Sequence, residues 1–137
     1  MVAGLPADDL ALTTPPADAM DVLIVDDNSQ MRAVIRALID PLGFRVVECA
    51  DGDEAVARYA ELRPAWVLMD VTMQRMDGIT ATRRIRADHP DAQVLMLTEH
   101  ADPGLRQAAF EAGASGYVLK EHLFEILDHV APPTRAG

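Results

Sequence analysis

The chain is 137 residues long, half of them hydrophobic and a quarter charged, which suits one globular domain with a sizeable core and excludes a multidomain enzyme. Its 12 basic and 22 acidic residues leave a net charge of −10, a surface that repels phosphate backbones and speaks against nucleic-acid binding by this chain alone. No run of about 18 apolar residues is present and acids stand where a secretory leader carries bases, so the expectation is a soluble, cytoplasmic protein that avoids membranes, and the single cysteine, Cys49, fits a reducing compartment.

In chain order, residues 1–20 are rich in Ala, Asp, Thr and Pro without apolar periodicity and read as a disordered tail, with Met20 a candidate start residue. From Asp21 onward, short apolar runs at 22–25, 44–49, 65–69, 94–97 and 116–119 alternate with segments of helical period. The runs are nearly continuous rather than alternating, as strands of a parallel sheet buried on both faces should be. The first helix follows Asn28 and Ser29, either a fitting N-cap, and carries Met31, Val34, Ile35, Leu38 and Ile39 as one apolar stripe. Pro41 and Gly43 end it. The second starts near Asp51 to Asp53, uses Val56 and Tyr59, and stops before Pro64. The third spans about 79–87, with Ile85 inward and Arg83, Arg84 and Arg86 as a solvated face. The fourth, 103–112, has Pro103 in its first turn and Gly113 after its end, and its inner face is mostly Ala. The fifth, about 121–130, shows Leu123, Ile126, Leu127 and Val130 before Pro132 and Pro133. The folded unit is therefore expected over 21–131, with a disordered end over 132–137.

Five βα units in one domain of this length imply an open, doubly wound sheet with helices on both faces. In such sheets ligands bind at the carboxyl ends of the strands, near the switch in strand order. Here those ends carry Asp26 and Asp27, Asp70, Thr98 and Lys120. Lys120 is the one lysine against 11 arginines. A single strand-end Asp is most simply a helix cap or a solubilising group. Five polar positions at one edge point to chemistry instead. No Gly-rich phosphate cradle follows the first strand, which weakens a dinucleotide-binding reading. Clustered carboxylates raise one another's pKa unless a cation joins them, and hard oxygens suit Mg2+ or Ca2+. A divalent cation is therefore expected among Asp26, Asp27 and Asp70. With a cation present a carboxylate can attack phosphorus, while a lysine pairs with the phosphoryl oxygens and a hydroxyl such as that of Thr98 donates to another.

The stretches LIVDDNSQMRAVIR, LMDVTMQRMDG, VLMLT and EAGASGYVLK, in this order and spacing, resemble the receiver domain of two-component response regulators over 21–130. Chemotaxis-type single-domain receivers are especially similar in GASGYV. The resemblance implies a flavodoxin-like (βα)5 sheet of strand order 2-1-3-4-5. It implies Asp70 as phosphoacceptor, with Asp26, Asp27, Asp70 and the main-chain carbonyl of Thr72 holding Mg2+, or Mn2+ or Ca2+ as substitutes. Thr98 and Lys120 would sense the phosphoryl group and Tyr117 would act as the aromatic switch. The implied partners are a sensor histidine kinase or phosphotransfer protein upstream, and a downstream protein or a second copy at the face of the fourth helix, fifth strand and fifth helix. Such a chain is a signalling phosphoacceptor rather than a classical enzyme.

Three departures stand out. Gln74 replaces a common Pro, which implies a less rigid loop. Glu99 follows Thr98 where a small residue is usual, and Glu121 follows Lys120 where Pro is frequent. Gln74, Glu99 and His100 are accordingly read as modulators, and they motivate an alternative, a degenerate receiver that signals by contact without phosphorylation. A haloacid-type phosphatase expects a second acid two residues after its nucleophile, where this chain has Thr72. His89, His122 and His129 read as ordinary surface histidines, and Cys49 and Trp66 as strand packing.

Overall fold

The computed structural model describes residues 20–130. The expected tail and the last seven residues lie outside the described residues, apart from Met20. The strands are β1 (Asp21–Val25), β2 (Arg45–Cys49), β3 (Trp66–Asp70), β4 (Val94–Thr98) and β5 (Gly116–Leu119), all parallel in the order β2-β1-β3-β4-β5. The helices are α1 (Ser29–Ile39), α2 (Gly52–Leu62), α3 (Gly78–Asp88), α4 (Pro103–Glu111) and α5 (Ile126–His129). The chain is thus the expected flavodoxin-like doubly wound domain.

Strand alternation sorts the core into two layers. Val22, Ile24, Leu68, Leu95, Leu97 and Val118 face Ile35 and Ile39 of α1 and Ile126 of α5. Leu23, Val25, Val67, Met69, Val94 and Met96 face Ala55 and Tyr59 of α2, Ala81 and Ile85 of α3, and Ala109 of α4. Both layers exclude water, so the strands tolerate the long apolar runs noted above.

The helix boundaries follow cap chemistry. Asn28 accepts from the backbone N–H groups of Gln30 and Met31, Asp77 from Thr80 and Asp102 from Gly104, each satisfying a donor the helix cannot. At the other ends Gly43 and Gly113 take left-handed backbone, φ 96° and 107°, as a chain leaving a helix commonly does.

Three expectations are corrected. The segment 121–130 is not one α-helix: Lys120–Glu125 winds as a 3-10 turn broken at His122 (φ −126°, ψ 47°), and only Ile126–His129 is α-helical. No side chain caps its start, and Lys120 is held back by two carboxylates, so the first turn cannot follow the apolar period. Leu127, within the short α-helical part, is exposed. Val34 is also about half exposed, at the edge of the α1 stripe. Arg86, expected to face water, turns back to the carbonyls of Pro90 and Ala92 and ties the end of α3 to the next loop.

Candidate functional site

The order β2-β1-β3 makes the chain leave β1 and β3 in opposite directions, which opens a crevice at their carboxyl ends. Asp26 follows β1 directly, Asp70 is the last residue of β3, and Lys120 follows β5. Asp26, Asp27, Asn28, Met31, Asp70, Thr72, Glu99, His100 and Lys120 line one cleft of about 260 Å³.

Within it, carboxylate oxygens of Asp26, Asp27 and Asp70 all lie within 4.8 Å of one another. Asp26 and Asp70 are buried, at 1% and 5% exposure, while Asp27 is exposed. Lys120 Nζ bridges the buried pair, 2.7 Å from Asp26 Oδ2 and 3.1 Å from Asp70 Oδ1. Three carboxylates against one ammonium leave two formal negative charges, which a single dication balances. The donors are hard oxygens converging on one point, and this chemistry fits Mg2+.

The electrostatics follow from this placement. Burial, and then the neighbouring Asp26 charge, push the Asp70 carboxyl up to about 6, against the opposing pull of Lys120. Burial works against the Lys120 ammonium, but its bonds to Asp26 and Asp70 outweigh that and hold its pKa above the ordinary lysine value. The Asp26 main chain is also fixed: Arg32 Nη1 donates to its carbonyl at 2.6 Å, and Glu48 holds Arg32 and Arg36 at 2.8 Å each. Those two guanidiniums, Arg36 first, keep the Glu48 carboxyl below its usual range.

Thr98 is buried at the end of β4 and accepts from the backbone N–H of His100 at 3.1 Å. Tyr117 does not line the cleft. Its hydroxyl donates to the His100 carbonyl at 3.1 Å, so both residues are tethered to one backbone unit, and its ring borders a separate groove with Asp102, Arg106 and His122. Glu99 and His100 line the cleft. Gln74 does not, and instead borders an adjacent cleft with Asp27, Asp51, Asp53, Glu54 and Arg75. Cys49 is buried, and burial drives its thiol up to about 12, which removes it as a nucleophile.

Two further residues escaped sequence reading. Asp51, read only as a helix start, accepts backbone N–H groups from Arg75 and Met76, 24 and 25 residues on. Gly78 lies so close to the Asp70 carbonyl and Met69 that a Cβ would collide with both. We expect Gly78→Ala to cost about 1–3 kcal/mol through this overpacking, measurable by urea unfolding, and to displace Asp70. In the sequence Gly78 is the closing Gly of the LMDVTMQRMDG stretch, at the start of a helix beside a cap.

The profile of the response regulator receiver domain matches residues 22–131. Among curated relatives, the chemotaxis protein CheY of Listeria monocytogenes is 35% identical over 117 residues, covering 82% of this chain and 98% of its own. Among solved structures, a LuxR-family two-component response regulator from Aurantimonas sp. superposes with a TM-score of 0.76 at 40% identity, covering 80% of this chain and 81% of that one. A CheX-CheY-BeF3-Mg+2 complex from Borrelia burgdorferi gives 0.70 at 30% identity, over 73% and 77%.

Proposed function

Because this chain belongs to the response regulator receiver family, we propose that it accepts a phosphoryl group on Asp70 from a sensor histidine kinase or a phosphotransfer protein in the cytoplasm. The observation that carries this is the buried Asp26–Lys120–Asp70 constellation at the ends of β1, β5 and β3. In the proposed step an Asp70 carboxylate oxygen forms the new P–O bond as the donor's P–N bond breaks and its imidazole leaves.

Asp26, Asp27, Asp70 and the Thr72 carbonyl would hold Mg2+, with Mn2+ or Ca2+ as substitutes. When bound, the dication neutralises charge on both reactants. Lys120, already 3.1 Å from Asp70, supplies a compact positive charge to the phosphoryl oxygens. Thr98 supplies a hydroxyl by turning toward them. Doing so withdraws the acceptor now used by the His100 N–H. The His100 carbonyl anchors the Tyr117 hydroxyl, so the net charge that a phosphoryl group adds at Asp70, about one negative charge because the carboxylate gives up its own, is felt at the groove beside α4, β5 and the 3-10 turn through the backbone of one residue. That face is the proposed docking site for a downstream protein or a second copy. The chain acts as a switch whose only chemistry is on itself. The BeF3 and Mg+2 named with the Borrelia relative support the same chemistry here.

The test is incubation with acetyl phosphate and Mg2+, followed by intact mass. The wild type is expected to gain one phosphoryl group and Asp70→Asn none. A folded wild type that binds Mg2+ but gains no mass would favour a degenerate receiver acting by contact alone.

A further inference from the structure

We propose that Asp51 is a positioning residue for the loop that presents the Thr72 carbonyl, so that cation affinity at Asp26, Asp27 and Asp70 depends on a carboxylate outside that cluster; this rests on the receiver reading above. The loop 71–77 joins β3 to α3, and its two ends are closed by the Gly78 N–H donating to the Val71 carbonyl at 2.8 Å. Its far side is held from another element. Asp51 Oδ1 accepts from the Arg75 N–H at 3.0 Å and Oδ2 from the Met76 N–H at 3.1 Å, two charge-assisted bonds that fix orientation as well as distance.

The hold is built in from both sides. Asp51 is 9% exposed and also caps α2, accepting from the Asp53 N–H at 3.3 Å, so the loop is referred to the frame of an 11-residue helix. Burial opposes ionisation of Asp51, yet the Arg75 N–H and the other donors keep its carboxyl below the usual range. Gly52 permits the approach: a Cβ there would stand 2.5 Å from the Met76 carbonyl oxygen. Arg75 adds an outer strap to Asp53 at 2.6 Å, exposed and therefore weak. Gln74, in place of a ring-stiffened residue, leaves the loop without covalent rigidity of its own. The Asp51 carboxylate supplies that rigidity from outside.

Asp51→Asn separates this role from helix capping, because Asn caps as well as Asp: with its oxygen at the Oδ2 position it keeps the Asp53 cap and the Met76 bond and presents an NH2 group to the Arg75 N–H. Titrating the full chain with Mg2+ by calorimetry, we expect Asp51→Asn to weaken binding about tenfold and Asp51→Ala at least as much, the range seen when residues that orient metal ligands are changed. Glu54→Gln removes a charge from the same neighbouring cleft without touching the loop bonds, and should weaken binding less than about threefold through long-range charge alone. Amide exchange at Arg75 should accelerate in Asp51→Asn, and at both Arg75 and Met76 in Asp51→Ala, while β1 amides stay protected. If Asp51→Ala does not fold, Asp51→Asn carries the test. Mg2+ affinity of Asp51→Asn equal to that of Glu54→Gln, or unchanged exchange at Arg75 in Asp51→Asn, overturns the inference and leaves the receiver reading standing. A folded wild type that takes no Mg2+ overturns both.

Discussion

Replacing Lys120 with Met is expected to lower the free energy of unfolding in EDTA near neutral pH by about 3–5 kcal/mol, the cost of removing one partner from a buried ion pair. Its side chain is 7% exposed and its ammonium contacts two carboxylates that are themselves buried. Without it Asp26 and Asp70 repel each other where water cannot screen them. Adding Mg2+ should recover more stability in Lys120→Met than in the wild type, because a dication then replaces the missing charge. Urea unfolding with and without Mg2+ reads both effects. A loss under about 1 kcal/mol, the scale of an exposed pair, would mean the cleft is wetter than its burial indicates.

The second large effect is a pH dependence carried by Asp70. Its carboxyl titrates at about 6 in the folded chain and near 3.9 when unfolded. A folded pKa above the unfolded one means the native state binds the proton more tightly. The associated stabilisation is complete below about pH 4 and is lost as pH rises through about 6. The gap corresponds to about 3 kcal/mol at about 1.4 kcal/mol per pH unit. In EDTA, Asp70→Asn should therefore match the wild type at about pH 4 and exceed it by up to about 3 kcal/mol at about pH 7.5. Urea unfolding of both proteins across that range checks this, and parallel curves would overturn it. A resting protein that is less stable for keeping Asp70 ionised is one whose stability rises on binding Mg2+, since the cation favours the ionised form.

Much of the architecture was legible from local pattern. Continuous apolar runs such as 22–25 and 94–97, short, rich in β-branched and Leu residues and bounded by polar turns, read as buried strands, and Asn28, Pro103 and Gly113 mark helix ends by chemistry that acts within a few residues. The site was legible for a related reason. In a doubly wound sheet every strand delivers its last residue to the same edge, so Asp26, Asp70, Thr98 and Lys120 could be grouped from strand ends alone. The segment after Lys120 was misread because its apolar spacing suits a helix, whereas the ion pairs that hold Lys120 belong to β1 and β3.

What the amino-acid sequence determined by itself was thus the order of elements, the two faces of each strand and the set of groups at the carboxyl edge of the sheet, all of which follow from period, caps and connectivity. Only the tertiary structure decided that Lys120 bridges Asp26 and Asp70, that Thr98 and Tyr117 share the His100 backbone, that Arg86 folds back on its own helix end, and that Asp51 grips a loop 24 residues away. The reason is physical. A helix cap or an apolar stripe is specified by neighbours within a turn. A buried charge finds its partner across the sheet, where distance in space is set by strand order and sequence separation carries no signal.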